Sequence, residues 1–265
     1  MAFRYNALVR RIATALVLFG SVVSAFGQTA RERLDRLAKD YGIEIQVIDK
    51  DTKIERDGYN VSAKAVPDAM IEEYAPLFEA EWRKYPASLM PRVRLKRVVI
   101  GRDVRVLDQP RAAVPEFDPG WFWLDADVNT RRPGYGRHAL HHDFFHMIDQ
   151  WDSPDGRTDA VWKALNAPGT ADGPGGWNMQ TGNPGALRVD LPGFITRYAT
   201  AATEEDKAEV YGHLLTSTAF ISGRAALDPI LMAKVRRMKE LIATFEPAMG
   251  PGWWPTFPRV DRAVP

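Results

Sequence analysis

The sequence contains no cysteine, only five histidines, and no excess of charge of either sign. Without cysteine the chain has no disulfide, no thiol nucleophile and no thiolate metal ligand, so a transition metal must be bound by histidine, aspartate or glutamate. Lysine and arginine number 35 against 34 aspartates and glutamates, which leaves no basic field for a nucleic acid. The 265 residues are 45% hydrophobic, enough for one sizeable core. We therefore expect a globular protein with no nucleic-acid partner.

The first 27 residues have the layout of a secretory signal peptide. Three arginines precede an apolar run over 12–23, and small residues follow near Ala25 and Gly27. The run is short for a transmembrane span, although an uncleaved N-terminal anchor is the alternative. We expect cleavage near Gly27 or Ala25, export to a bacterial periplasm or medium, and no membrane contact afterwards. Removal of the three arginines leaves 32 basic residues against 34 acidic ones, a formal charge of −2 instead of +1.

Hydrophobic periodicity predicts one α+β domain over 28–265, with a small mixed sheet early and helices late. Strands are expected near 43–48, 93–106 and 121–124, and helices over 29–40, 68–85, 136–151, 158–166, 203–220 and 228–245. Thr203 and Asp228 are expected to cap the last two helices. The segment 166–193 holds seven glycines and four prolines, which predicts a long irregular loop that could wall a cleft. The aromatic strand at 121–124 is expected to lie in the core, with contact to an extended peptide as the alternative.

Four of the five histidines lie within nine residues: His138, His141, His142 and His146. His142 and His146 are four residues apart, which on a helix places both on one face, within reach of one cation. Asp143 flanks that face, where a carboxylate can contact a water on the metal. Histidines that merely satisfy hydrogen bonds in a core are the alternative. We expect His141 to pack in the core or to support a ligand, with metal binding in a shifted register as the alternative. His138 is expected to cap the helix or lie on the surface, although its place one turn before His142 on the same face could bring it to the rim of the site.

A second segment follows about fifty residues later, where Glu205 and Glu209 lie one turn apart on the helix predicted after Tyr198. Two carboxylates that face a buried helix need a cation or another partner between them. Catalytic zinc sites use three protein ligands, and two histidines with one glutamate are a standard set. The sequence thus predicts one Zn²⁺ per chain. Asp149, three residues beyond His146, is expected to orient that histidine, with a solvated carboxylate as the alternative.

These motifs resemble the gluzincin branch of the zincin metallopeptidases, whose active-site helix carries His-Glu-x-x-His and whose next helix supplies a glutamate ligand. The spacing Tyr-x6-Glu-x3-Glu is especially similar to the catalytic domain of anthrax lethal factor and its relatives among secreted bacterial metallopeptidases, and the likeness spans about 121–220. The resemblance implies that His142, His146 and Glu205 bind zinc, that Tyr198 hydrogen-bonds the oxyanion, that Glu209 orients a ligand histidine, and that Asp143 is the general base.

One residue departs from the family pattern, since Asp143 stands where the family has glutamate. The shorter side chain withdraws the carboxylate by roughly 1.5 Å, a displacement that can cost on the order of a hundredfold in rate. Two hypotheses follow: an exported zinc metallopeptidase, with endopeptidase activity expected, or a catalytically silent zinc-binding domain that recognises peptide or cell-envelope material. The sequence leaves open the peptide specificity, the oligomeric state and whether 28–90 acts as a pro-segment.

Overall fold

The computed structural model describes residues 28–152, 159–188 and 190–254, so the expected signal peptide at 1–27 lies outside the described residues. The strands are β1 Glu44–Val47, β2 Thr52–Glu55, β3 Asn60–Lys64, β4 Arg97–Val106, β5 Gln109–Pro110, β6 Ala113–Glu116 and β7 Trp121–Asp125. The helices are α1 Ala30–Tyr41, α2 Asp68–Trp82, α3 Leu89–Arg92, α4 Ala126–Arg131, α5 Pro133–Asp152, α6 Ala160–Lys163, α7 Thr203–Thr216, α8 Thr218–Leu227 and α9 Pro229–Phe245. Within these ranges no helix combines the length and the apolar character that a membrane crossing requires.

The seven strands form one mixed sheet in the order β2, β3, β4, β7, β6, and β1 and β5 also pair with β4. β4 is parallel to β1 and β7, whereas β6 runs antiparallel to β7. The α+β architecture expected from the sequence is therefore confirmed. The aromatic strand β7 lies between β4 and β6 and its residues 122–125 are buried, which confirms the core position favoured from the sequence and leaves it no free edge for a peptide. The edge beside α5 is β6, and its Pro115 is a residue that sheets tolerate mainly at edges.

Helix α5 is buried by apolar side chains on both sides of its histidine face. Phe144, Phe145, Met147 and Ile148 are all fully buried. The ring of Phe144 lies 4.8 Å from that of Tyr85 and 5.0 Å from that of Trp82, between centroids. This aromatic packing attaches α5 to helix α2 and the sheet, so the position of the histidine face is set by the main core.

Helix α7 packs most extensively against α5 and is buried along nearly its whole length. It begins at Thr203, preceded by Ala202 as the N-cap, so the capping role expected for Thr203 is wrong. Thr203 donates its hydroxyl to Asp172 instead. The helix predicted over 203–220 is two helices that meet at Ser217. Asp228 does cap α9, since its carboxylate accepts the backbone N–H groups of the first turn at 3.0 Å.

A buried ion pair joins the two helices that carry the candidate ligands. The ammonium of Lys207 on α7 contacts Asp149 on α5 and lies 3.4 Å from Asp159, the N-cap of α6. The side chains of Lys207 and Asp149 are 1% and 4% exposed. Water therefore screens this pair little, and each charge depends on the other for compensation.

We predict that Lys207→Met lowers the free energy of unfolding by about 3–5 kcal/mol, because it leaves the buried carboxyl of Asp149 without its cation. Lys163→Met removes an ion pair to Asp172 that is 43% and 49% exposed and should cost less than about 1 kcal/mol. Urea denaturation of the metal-free protein measures both. Equal losses in the two variants would contradict the inference that the buried pair fastens α5 to α7.

Candidate metal centre

Three histidines, His138, His142 and His146, follow one another at four-residue spacing along α5. The rings of His142 and His146 lie 5.1 Å apart between centroids. His142 is buried, whereas His146 is partly open to solvent. The Nε2 atoms of the buried His142 and the partly accessible His146 face the same carboxylate, that of Glu205.

Glu205 on α7 faces both of these nitrogens. Its Oε2 lies 3.0 Å from Nε2 of His142 and 3.3 Å from Nε2 of His146. A tetrahedral zinc ion with bonds of roughly 2.0–2.1 Å spaces its ligand atoms about 3.3 Å apart. The donor set and its spacing therefore fit zinc, and the structure brings together the three ligands inferred from the family resemblance.

Electrostatics at this site favour a positive charge between the helices. Burial would raise the pKa of Glu205, but the facing histidines His146 and His142 lower it far below its usual value. Burial would likewise lower the pKa of His142, but hydrogen bonding and attraction to Glu205 and Glu209 raise it well above its usual value. Two ionised carboxylates thus surround the His142 imidazole in a poorly hydrated space.

Glu209 lies one helical turn beyond Glu205 and faces the inner side of the same imidazole. Its Oε1 lies 3.0 Å from Nδ1 of His142 and 2.9 Å from Nε2 of His138. Its Oε2 accepts a hydrogen bond of 2.7 Å from the hydroxyl of Thr196. Burial would raise the pKa of Glu209, but His138 and His142 hold it well below its usual value.

Tyr198 opens a one-turn 3-10 helix immediately before α7. Its hydroxyl donates to Oε1 of Glu205 at 3.2 Å and accepts from the side-chain amide of Gln180 at 3.0 Å. Burial raises the pKa of Tyr198 far above its usual value, so the hydroxyl keeps its proton at neutral pH and serves as a donor. The tyrosine therefore places a donor beside the proposed ligands.

Asp143 is half-buried on the flank of the histidine face. Burial raises the pKa of its carboxyl to about 6, against the opposing attraction of His142 and His146. A carboxyl that titrates near neutral pH is suited both to accept and to return a proton.

Three other residues occupy places that differ from their expectations or refine them. Asp149 pairs with Lys207, and no hydrogen bond between Asp149 and His146 occurs in the described structure. His138 is neither a cap nor a surface residue, because it is buried against Glu209. His141 packs in the core, as expected, between the Tyr85 hydroxyl at 2.6 Å and Glu81 at 2.8 Å.

The glycine-rich loop reaches the site through Gly176, the first residue of a 3-10 turn at Gly176–Met179. A Cβ at this position would overlap Oε1 of Glu205 and lie 2.6 Å from the Tyr198 hydroxyl. Only a residue without a side chain fits there. Sequence reasoning predicted the loop as a wall of a cleft but did not single out Gly176 or Gln180.

Comparison with solved structures identifies the fold. The chain is similar to a protein from Bacteroides caccae described as a "putative zinc-binding metallo-peptidase", with a TM-score of 0.54 and 17% sequence identity. The match covers 81% of this chain and 86% of that chain. No family model and no curated protein sequence matches the chain. The structural match shows that this chain and the Bacteroides caccae protein share a metallopeptidase-like α+β fold.

We predict that Gly176→Ala lowers the free energy of unfolding by about 1–3 kcal/mol, because the new methyl group must displace Glu205 or the loop. Gly223→Ala on α8, where a Cβ meets nothing within 4 Å, should be neutral or stabilising by up to about 1 kcal/mol. Urea denaturation distinguishes the two. A Gly176→Ala variant as stable as the wild type would contradict the close contact between the loop and Glu205.

Proposed function

We propose that the protein is an exported zinc-dependent metallopeptidase that hydrolyses peptide bonds. The observation that carries the proposal is the placement of His142, His146 and Glu205 at zinc-ligand spacing, with Tyr198 bonded to Glu205 and Asp143 adjacent to His142 on α5. The shared fold and the resemblance to the gluzincins, including the lethal factor relatives, support the same function. Export is supported by the sequence pattern of residues 1–27.

His142, His146 and Glu205 would hold one zinc ion, which supplies Lewis acidity and lowers the pKa of a coordinated water toward 7. Asp143 accepts the proton of the water that attacks the peptide carbonyl carbon. Tyr198 donates its hydroxyl to the carbonyl oxygen as that atom gains negative charge. Asp143 then returns the proton to the nitrogen as the C–N bond breaks, so a free carboxylate and an amine leave.

A peptide substrate would lie along β6. This strand ends the sheet beside α5, and its outer backbone groups can add a further strand. The loop carrying Gly176 and Gln180, which contacts Glu205 and Tyr198, would form the opposite wall. An extended peptide or an unfolded segment of a protein is therefore the substrate form we propose.

A silent zinc-binding domain that recognises peptide or cell-envelope material is the second candidate, and the short side chain of Asp143 is the observation that favours it. In that case the ligands hold zinc for structure or recognition, and the carboxylate lies too far back to accept the proton. The two functions share the metal centre and differ only in turnover.

We predict that the wild type binds one zinc ion per chain and that His146→Ala and Glu205→Gln abolish stoichiometric binding, because each removes a ligand. Glu204→Gln, at the neighbouring position of α7, should bind zinc like the wild type. Metal analysis after dialysis reads occupancy, and chelation should lower the melting temperature. Free zinc at a thousandfold excess over its Kd stabilises the folded state by about 4 kcal/mol. Undiminished zinc in both ligand variants would contradict the site.

We predict that the zinc-loaded wild type cleaves a peptide library and that Asp143→Asn lowers kcat by about 10²–10⁴-fold while retaining zinc. The chelated wild type is the control for contaminating peptidases. Mass spectrometry of the library detects the products. No cleavage by the wild type, with cleavage gained in Asp143→Glu, would contradict the peptidase proposal and support the silent domain.

A further inference from the structure

A second set of possible ligands lies directly behind the first. His138, His142 and Glu209 are all buried, and their nitrogen and oxygen atoms lie within 4.8 Å of one another. We call this set the inner triad, and His142, His146 and Glu205 the outer triad. His142 belongs to both, since its Nδ1 faces Glu209 and its Nε2 faces Glu205.

A neutral imidazole has one nitrogen lone pair available to a metal, so His142 can serve only one triad at a time. When Nε2 binds an ion, the proton of His142 must sit on Nδ1, the nitrogen that lies 3.0 Å from Oε1 of Glu209. A single divalent cation also balances the charges of Glu205 and Glu209 together. Charge and protonation therefore favour one ion, with the other triad acting as a hydrogen-bonded support.

Thr196 shows which triad is the support. Its hydroxyl accepts the backbone N–H of Ala199 at 3.1 Å and is fully buried. The hydroxyl proton is thereby left to donate to Oε2 of Glu209, at 2.7 Å. The Thr196 hydroxyl therefore holds one oxygen of the Glu209 carboxylate in place.

His138 holds the other oxygen of Glu209 because its ring has little freedom to move. A Cβ on Gly212 of α7 would lie 2.8 Å from Cε1 of His138, so the ring lies directly against the helix backbone. The ring of His213 lies 4.5 Å from the ring of His138 between centroids. His213 is itself held by a hydrogen bond of 2.8 Å between its Nδ1 and the backbone oxygen of Glu209. The Nε2–H of His138 is therefore directed at Oε1 of Glu209.

We propose that His138 and Thr196 are positioning residues for the metal ligand His142, acting through Glu209, and that the ion occupies the outer triad. The proposal rests on the proposed function, because it assigns the support of the same metal centre. Groups that orient a ligand histidine typically contribute about 10–100-fold in metal affinity.

The test measures the zinc Kd by competition with a chromogenic chelator, for matched variants of each positioning residue. Thr196→Val removes the hydroxyl at nearly constant shape and should raise the Kd about 10–100-fold, whereas Thr196→Ser should stay within about threefold of the wild type. His138→Ala should weaken binding to a similar extent, and His138→Gln, which keeps an N–H donor, should recover part of the affinity. Urea denaturation of each metal-free variant verifies that it folds.

Wild-type affinity in both Thr196→Val and His138→Ala would overturn the proposal. Complete loss of zinc in His138→Ala, with zinc retained in His146→Ala, would also overturn it, because the ion would then occupy the inner triad. A measurement on the metal-free protein separates failure of this proposal from failure of the proposed function. Proton NMR should show ring N–H signals of His138 and His142 protected from solvent exchange, and Thr196→Val should reduce that protection. Unchanged protection overturns the support network, whatever the wild type does with zinc.

Discussion

Two carboxylates, Glu205 and Glu209, are buried between α5 and α7, and the need to compensate their charge organises the rest of the site. Histidines of α5 face them at 2.9–3.3 Å. Such charges are costly to bury without a partner. The aromatic core behind α5 and the ion pair of Lys207 with Asp149 hold the two helices together. The histidines of α5 and the carboxylates of α7 therefore face each other at a distance that suits a small cation.

The surroundings of this cluster divide into a reactive side and a supporting side. On the outer side, Asp143 and Tyr198 lie near the partly accessible His146, where water and a peptide can enter. On the inner side, Glu209 is enclosed by His138 and Thr196 in a space closed to solvent. One face of His142 is thus available for chemistry, while its opposite face lies against Glu209, which is itself hydrogen-bonded to His138 and Thr196.

Much of the arrangement could be predicted from local spacing. The four-residue spacing of His142 and His146, and of Glu205 and Glu209, predicts two helices with facing donors, which is what α5 and α7 provide. Features that depend on tertiary packing could not be predicted in this way. The partner of Asp149 is Lys207 only because α5 packs on α7. The hairpin of β2 and β3 was missed because its strands are short and largely polar. His138 precedes His142 by one turn on the same face, but this spacing alone favours a cap or surface role, and its contact with Glu209 depends on the packing of α5 on α7.

The proposed function and the roles of the supporting residues both depend on where an ion binds. The most direct measurement is a crystal structure of the zinc-soaked protein, with anomalous scattering recorded at the zinc absorption edge. We predict one peak per chain, about 2.0–2.2 Å from Nε2 of His142, Nε2 of His146 and a carboxylate oxygen of Glu205. A peak between His138, His142 and Glu209, or no peak within reach of these residues, would contradict this prediction.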